Sequence, residues 1–319
     1  MTTLPHVRVL AMGGTIAGAA TSTTDSTGYR AGTTDIADVI ARVPEIAAIA
    51  QITSEQFAQI DSSDLTDGLL LALARRVVEL GNDPTVDAIV ITHGTDTLEE
   101  TAYLLHLTVG TVKPVVLVGS MRPPTALSPD GPMNMFAAVA VAASPASRGQ
   151  GVLVVMNDEI HTARDVTKSS SLRVDAFESP YGALGSVTDG TPRFYRANAR
   201  PVAVPFAVPS DLPSSSIVFA HSGLDASSIT PRDVVIFAGF GNGTVPTRVI
   251  DALESSSGLV VRATRTGSGH VTLVGASDPR ANAWVAVDDQ SPQRARILAC
   301  LALTVTTDRL EIQEMFHRY

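Results

Sequence analysis

Short apolar runs alternate along the first half of the chain with longer segments whose apolar residues recur at helical spacing. The apolar strand-like runs lie at residues 7–12, 88–91, 115–118 and 152–156, and an alternating segment near residues 51–60 also predicts a strand. The helix-like segments lie at residues 35–43, 65–80, 97–107 and 133–143. Several of the strand-like runs are almost wholly apolar, which is typical of strands buried on both faces. The alternation therefore predicts an α/β fold with a mostly parallel sheet flanked by helices.

A proline-rich stretch predicts the domain boundary. Prolines at positions 192, 201, 205, 209 and 213 exclude a continuous helix or a central strand there. We therefore expect a larger N-terminal domain over residues 1–191 and a linker over 192–213. A smaller α/β C-terminal domain is expected over residues 214–319. Its predicted strands lie at 217–220, 234–238 and 259–262, and its predicted helices at 245–255, 292–303 and 308–316.

Composition narrows the functional classes. The chain has 319 residues, of which 45% are hydrophobic, so it is long and apolar enough to bury a substantial core. It carries 23 basic and 32 acidic residues, and no Lys/Arg run, so we expect no nucleic-acid partner. Its apolar segments are too short to cross a membrane, and its first strand begins almost at once, so a cytoplasmic protein is predicted. The single cysteine, Cys300, lies in an apolar stretch and is interpreted as a core residue.

Two glycine-containing turns follow predicted strands and carry threonines. Gly13 and Gly14 precede Thr15, and a second turn holds Thr95 and Asp96. The carboxyl ends of parallel strands are where ligands bind in such sheets. Thr97, followed three residues later by a glutamate, predicts a capping box that opens the next helix. A ligand site is therefore expected at this edge of the sheet.

Other polar segments supply candidate chemistry. Ser62 and Ser63 follow another predicted strand, Lys168 lies in a polar loop, and Tyr29 is the only aromatic residue of a Thr/Ser/Gly-rich segment that could form a lid. A lysine can accept the proton of a threonine hydroxyl, so threonine, lysine and aspartate form a possible proton relay.

The residues alone leave simpler interpretations open. A threonine at a strand-to-helix turn is most often a cap, a lysine is most often a solvated charge, and His93 is interpreted as structural. The sequence lacks a complete dinucleotide fingerprint, a P-loop and a zinc-binding His/Cys spacing, so neither a cofactor nor a metal is predicted. These patterns favour a small-molecule hydrolase or transferase, and a non-catalytic binding module is the alternative.

Two of these motifs resemble the signatures of a known family. Residues 10–18 and 91–102 together resemble the two threonine signatures of the bacterial-type L-asparaginase family, which includes asparaginase/glutaminase members. Further similarity lies at residues 119–123, 130–132, 151–158, 164–168 and 295–319, so the resemblance covers nearly the whole chain.

The resemblance implies an amidohydrolase that converts L-asparagine to L-aspartate and ammonia through a threonine acyl-enzyme, with minor L-glutaminase activity and no cofactor. Thr15 would be the nucleophile, and Tyr29 would contact it when the lid closes. Thr95, Asp96 and Lys168 would form a second triad. In that triad Thr95 and Lys168 manage the proton, and Asp96 also binds the α-ammonium of the substrate.

The remaining substrate contacts are also implied by the resemblance. Ser62 would hold the α-carboxylate, and main-chain N–H groups near Thr95 and at Ser120 and Met121 would stabilise the oxyanion. Ser63 stands where many members carry Gln or Glu, so one contact to the substrate is lost and the asparagine-to-glutamine preference is open.

The resemblance also implies a homotetramer whose sites are shared across a dimer interface. Thr244 stands where members often carry Asn or Ser that reaches a neighbouring subunit. Members also supply an acidic residue from the neighbour, and the stretch 266–287 offers Asp278 for this role. An ammonia-supplying amidotransferase subunit is a further interpretation, although such subunits usually carry an extra N-terminal domain.

Overall fold

The computed structural model describes residues 3–25, 27–199, 206–276 and 278–319. The chain divides into two compact units, Met1–Val208 and Pro209–Tyr319. This division falls inside the segment 192–213, for which the sequence predicts a linker. Residues 200–205 of that segment lie outside the described residues, and the linker as a whole stays a prediction.

The first unit is built from the following elements. Its strands are β1 (His6–Gly13), β2 (Gln51–Ile60), β3 (Ala88–Thr92), β4 (Val115–Val118), β5 (Val152–Met156), β6 (Glu159–Thr162), β7 (Thr167–Lys168), β8 (Phe177–Glu178), β9 (Gly185–Thr188) and β10 (Thr191–Phe194). Its α-helices are α1 (Ile36–Ala41), α2 (Asp67–Asn82), α3 (Leu98–Thr108) and α4 (Gly131–Ala143). Short 3-10 turns lie at Thr15–Ala17, Pro44–Ala48, Ser62–Asp64 and Pro145–Ser147.

One eight-stranded sheet organises this unit, in the order β10-β9-β6-β5-β4-β3-β1-β2. Five neighbouring strands are parallel, namely β2, β1, β3, β4 and β5. Strands β6, β9 and β10 extend the sheet in antiparallel fashion. Adjacent residues Val9 and Leu10 of β1 are both fully buried, so both faces of the sheet are covered. The predicted α/β fold with a mostly parallel sheet is confirmed.

The antiparallel edge of the sheet goes beyond the sequence-based prediction. Asn157 and Asp158, between β5 and β6, have φ values of 48° and 65°, which is the left-handed pair that a two-residue hairpin requires. Strand β10 occupies the start of the predicted linker. Pro192 fits there because β10 lies at the edge of the sheet and bonds to β9 alone.

The second unit is smaller and also α/β, as predicted. Its strands are β11 (Ser215–Phe219), β12 (Arg232–Gly239), β13 (Ser257–Thr264) and β14 (Val285–Ala286), which form a parallel sheet in that order. Its helices are α5 (Thr247–Ser256), α6 (Pro292–Leu303) and α7 (Arg309–Arg318), with 3-10 turns at Ala226–Ser228 and Pro279–Ala283. Cys300 in α6 is fully buried, in agreement with its interpretation as a core residue.

In the part of the chain that the structure describes, none of the helices combines the length and apolar character needed to cross a membrane.

Candidate active site

Three strand-end turns of the first unit meet through direct contact. Gly14, after β1, has a φ of 76°, and a Cβ built there would lie only 2.3 Å from Cα of Gly94, after β3. A Cβ on Gly94 would in turn lie 2.5 Å from Oγ of Ser62, after β2. Only glycine permits these approaches. The main chains that directly precede Thr15 and Thr95 are therefore in contact.

The first threonine is paired with the tyrosine of the predicted lid. Thr15 opens the 3-10 turn after β1 and is only 4% exposed. Its Oγ1 lies 2.6 Å from the phenol oxygen of Tyr29. Burial raises the pKa of Tyr29 above its usual value of 10.0, and the negative charges of Asp96, Asp61 and Asp130 act in the same direction. The phenol is therefore protonated at neutral pH and can donate a hydrogen bond.

The segment 19–30 that carries Tyr29 is held against a second loop. Two main-chain hydrogen bonds, of 3.0 and 2.9 Å, close its base. The Ala20 N–H donates to Oγ1 of Thr125 at 2.9 Å, and the Leu127 N–H donates to the Thr23 carbonyl at 2.9 Å. Residues 19–25 and 27–30 therefore hold Tyr29 against Thr15 in this structure.

The second threonine lies beside a lysine and an aspartate. Nζ of Lys168 donates to Oγ1 of Thr95 at 2.8 Å and to Oδ1 of Asp96 at 2.6 Å. The Lys168 side chain is 17% exposed, whereas that of Asp96 is 59% exposed. The three predicted relay residues are therefore in contact, and the carboxylate is the member open to solvent.

His93 links the turn after β3 to helix α3 through hydrogen bonds of its ring. Burial lowers its pKa to about 4, so the ring is neutral at physiological pH. Its Nδ1 lies 2.7 Å from the Gly94 carbonyl, which can only accept, so Nδ1 carries the proton. Nε2 then accepts from Oγ1 of Thr101 at 2.9 Å. The structural interpretation of His93 agrees with these contacts.

Ser62 is hydrogen-bonded to the turn after β3, and one of these bonds contradicts the predicted capping box at Thr97. Its Oγ accepts from the Asp96 N–H at 3.2 Å, and its carbonyl accepts from Oγ1 of Thr97 at 2.9 Å. Thr97 is the N-cap of α3 but makes no side-chain capping bond. The predicted capping box is wrong because the tertiary contact with Ser62 takes the threonine hydroxyl. Ser63 instead turns its hydroxyl to Asp61, at 3.0 Å, and is exposed.

Asp130 fixes the turn after β4. Its carboxylate accepts the N–H groups of Met121 and Arg122 at 2.8 and 2.9 Å, and Asn134 also donates to it at 3.0 Å. Ser120 is fully buried, and its hydroxyl donates to the Arg122 carbonyl at 3.0 Å. The Met121 N–H is therefore bonded to Asp130 in this structure, and the expected role of the N–H groups of this turn as oxyanion donors stays a prediction.

Two of the predicted residues belong to the second unit. Thr244 lies in the turn after β12 and exchanges main-chain hydrogen bonds with Phe240, at 2.7 and 3.1 Å. Asp278 caps the 3-10 turn Pro279–Ala283, and Arg280 pairs with it at 3.0 Å. Hydrogen bonds from Arg280 lower the pKa of Asp278 below its usual value. Both predicted roles involve a neighbouring subunit and stay predictions.

Glu99 lies within the signature at residues 91–102, but the sequence gives no indication of its contact with Lys168. Oε2 of Glu99 accepts the main-chain N–H of Lys168 at 2.8 Å, across 69 positions of sequence. In the sequence Glu99 is only one of two acids in the first turn of α3. Sequence reasoning therefore missed this long-range contact.

The side chains gathered here suit acyl transfer. They comprise two hydroxyl groups, an amine, a carboxylate and a phenol. A hydroxyl with a neighbouring amine can form a covalent ester with a substrate carbonyl. Within residues 3–25, 27–199, 206–276 and 278–319, no group of three or more His, Cys, Asp or Glu side chains is arranged to hold a metal ion.

Comparisons with known proteins show the family to which the chain is similar. The family model for the N-terminal domain of asparaginase matches residues 6–200, and that for the glutaminase/asparaginase C-terminal domain matches residues 217–316. The chain is 43% identical to the glutaminase-asparaginase of Pseudomonas fluorescens biotype A, covering 100% of this chain and 91% of that protein. It is 41% identical to L-asparaginase 2 of Escherichia coli strain K12, covering 99% of this chain and 94% of that protein.

A solved structure gives the same result. The crystal structure described as a probable cytoplasmic L-asparaginase from Campylobacter jejuni matches with a TM-score of 0.92 and 39% identity, over 99% of this chain and 100% of that chain. Both units are matched by family models, and the sequence relatives span nearly the full length of the chain. On these grounds the chain belongs to the L-asparaginase/glutaminase family and is an enzyme of that family.

Proposed function

We propose that this enzyme hydrolyses the side-chain amide of L-asparagine to give L-aspartate and ammonia, with slower turnover of L-glutamine. The contact that carries the proposal is the 2.8 Å hydrogen bond between Nζ of Lys168 and Oγ1 of Thr95. A non-catalytic binding module has no need of a buried hydroxyl beside an amine. The names of the relatives, L-asparaginase and glutaminase-asparaginase, support the choice of substrate.

In the proposed first half-reaction, Oγ1 of Thr15 attacks the amide carbon of the substrate. A C–O bond forms and the amide C–N bond breaks. The hydroxyl proton is transferred to the nitrogen of the substrate amide, which leaves as ammonia. Tyr29 lies 2.6 Å from this oxygen and remains protonated, so it can hold the hydroxyl in one orientation. Residues 19–25 and 27–30, which hold Tyr29 against Thr15, shield the acyl-enzyme from bulk water.

In the second half-reaction, water attacks the threonine ester, releases L-aspartate and restores Thr15. Thr95 and Lys168 exchange the proton that the attacking group loses, since an amine within hydrogen-bond distance of a hydroxyl can serve as its base. Thr95 is 5% exposed and the Lys168 side chain is 17% exposed, so few water molecules compete for the proton.

The proposed substrate contacts match the charges of an amino-acid zwitterion. The exposed carboxylate of Asp96 binds the α-ammonium, and Ser62, buried beside it, binds the α-carboxylate. Ser120 helps to hold the turn after β4 through its bond to the Arg122 carbonyl. Because Ser63 is turned toward Asp61, it gives the substrate less support than a longer side chain would.

Ammonia release from L-asparagine and L-glutamine by the purified enzyme tests this function. We expect Thr15→Val and Thr95→Val each to lower kcat at least about a thousandfold, as removal of residues that act as a catalytic unit does in other enzymes. Thr108→Val is the matched control, because Thr108 is buried in α3 and its hydroxyl donates to the Leu104 carbonyl of the same helix. If the wild type releases no ammonia from either amide, or if either site variant keeps full activity, the proposed mechanism is wrong.

Trapping the covalent intermediate tests which threonine attacks. Rapid acid quenching during turnover, followed by peptide mass spectrometry, is expected to find the aspartyl adduct on the peptide that contains Thr15. An adduct on the peptide that contains Thr95 would reverse the roles of the two hydroxyl groups.

Two further expectations stay predictions. The homotetramer, with Thr244 reaching a neighbouring site, is tested by sedimentation velocity and by the activity of mixed tetramers of Thr15→Val and Thr244→Val subunits. The cytoplasmic location is tested by fractionating the cells that produce the protein.

A further inference from the structure

Glu99 has an unusual environment for an acid. It is the second residue of α3, and it is only 6% exposed. Acidic side chains are rarely buried to this extent unless a hydrogen-bond donor receives them. The donor here is the main-chain N–H of Lys168, at 2.8 Å from Oε2.

This contact adds a second link between Lys168 and the segment that carries Thr95, its proposed partner in proton exchange. Lys168 is bound to Glu99 through its main chain, and its Nζ returns to Thr95 and Asp96. These partners all lie within residues 95–99, which form one turn and the start of one helix. A single rigid segment therefore holds Lys168 at both its backbone and its side-chain end.

The strand that carries Lys168 is too short to fix it alone. β7 has two residues and pairs only with the equally short β8, where Lys168 lies opposite Phe177. A lysine side chain is long and flexible, so its tip is placed accurately only where its backbone is held. The Glu99 bond supplies such an anchor from a longer element.

We propose that Glu99 is a positioning residue that fixes the main chain at Lys168, and so keeps Nζ within hydrogen-bond distance of Thr95. This inference rests on the proposed function, in which Lys168 and Thr95 exchange a proton. Glu99 does not touch the substrate in this scheme. Its role depends on the length of its side chain and on an oxygen that accepts a hydrogen bond.

Two conservative variants of Glu99 distinguish the effect of side-chain length from the effect of its negative charge. Glu99→Gln keeps the length and an acceptor oxygen but removes the acid, whereas Glu99→Asp keeps the acid but shortens its reach by one methylene. If Glu99 acted only as a favourable charge at the start of α3, the aspartate variant would be the better replacement. Positioning predicts the opposite order.

The test measures kcat and KM for L-asparagine, and the thermal midpoint, in the full-length enzyme. We expect Glu99→Asp to lower kcat at least about tenfold with KM changed less than about threefold, since small displacements of reacting groups cost rate. Glu99→Gln is expected to keep kcat within about threefold of the wild type. Glu100→Gln removes a charge from the same helical turn and is the matched control for effects on the helix.

Each outcome decides the matter. Full activity of Glu99→Asp, or an equal loss in both Glu99 variants, would overturn the positioning role. Thr95→Val is measured in parallel, because full activity in that variant would defeat the proposed function itself. An inactive Thr95→Val beside a fully active Glu99→Asp would defeat the inference about Glu99 alone.

Discussion

Gly14 and Gly94 pack main chain against main chain, so closely that a Cβ on Gly14 would lie 2.3 Å from Cα and 2.4 Å from N of Gly94. Each glycine directly precedes one of the two candidate threonines. The contact therefore links two turns that are far apart in sequence, and it explains how Thr15 and Thr95 come to share one region of the sheet edge.

Gly14→Ala is expected to destabilise the protein by more than about 2 kcal/mol, because neither backbone can yield without moving a strand end. Gly149→Ala is the matched control. Gly149 has a nearly identical φ of 75°, but a Cβ added to it would meet no other atom within 4 Å. Urea unfolding midpoints measure both variants. A similar loss in both would mean that backbone strain, and not the contact with Gly94, sets the cost.

Tyr29→Phe is expected to lower kcat/KM for L-asparagine about tenfold, equivalent to about 1.4 kcal/mol, because the Thr15 hydroxyl loses its hydrogen-bond partner. Tyr195→Phe serves as the control, since that residue is 69% exposed and its hydroxyl lies 3.4 Å from Ser186. Steady-state kinetics compares the two variants. An unchanged rate in Tyr29→Phe would show that the phenol hydroxyl has no part in orienting Thr15.

His93 is expected to make stability depend on pH. Its folded-state pKa of about 4 lies below the ordinary value of 6.5, so the unfolded chain binds the proton first as pH falls. The contribution of neutral His93 to the free energy of unfolding is fully present above pH 6.5 and is lost as pH falls toward 4. The total loss is on the order of 3 kcal/mol. His161, whose pKa burial also lowers to about 4, contributes in the same direction.

Urea unfolding between about pH 7 and pH 5 tests this effect. His93→Gln is expected to show a smaller loss of stability over this range than the wild type. Thr101→Val also removes the His93–Thr101 hydrogen bond but keeps the titrating ring, so its pH dependence is expected to remain. Equal pH dependence in the wild type and His93→Gln would contradict the assignment.

Asp130→Asn is expected to loosen the turn after β4. An amide offers one acceptor oxygen where the carboxylate uses both, for the N–H groups of Met121 and Arg122. One of these N–H groups would then face an amide donor, at a cost of about 1–3 kcal/mol. Hydrogen exchange at residues 120–127 measures the change, and faster exchange should extend to segment 19–30 because the two loops are bonded. Unchanged exchange in both segments would contradict this coupling.

The parts of the fold with strong local signals are predictable from the sequence. Strand β3 is buried throughout, so its apolar run reflects its environment directly. The hairpin at Asn157 and Asp158 is not predicted, although these residue types tolerate the left-handed conformation that its turn requires. Strand β10 is hidden in the sequence by Pro192, which an edge strand tolerates.

The site is predictable only in part, for a physical reason. Thr15, Thr95 and Lys168 occur in motifs, and the resemblance to a known family singles them out. The contacts of Thr97 and Glu99 depend instead on partners 35 and 69 positions away. Local propensity describes what a residue can do within its own turn, and it cannot tell which distant group will take its hydrogen bond.

The packing of Gly14, Gly94 and Ser62 also sets limits for engineering. Mutant libraries at Gly14 and Gly94 would consist mainly of inactive proteins, because a Cβ at these positions would lie 2.3 and 2.5 Å from atoms of a neighbouring turn. Ser63 is exposed and its hydroxyl bonds within its own turn, so it tolerates replacement. Directed evolution of amide selectivity should therefore begin at residue 63 and leave the three-turn contact intact.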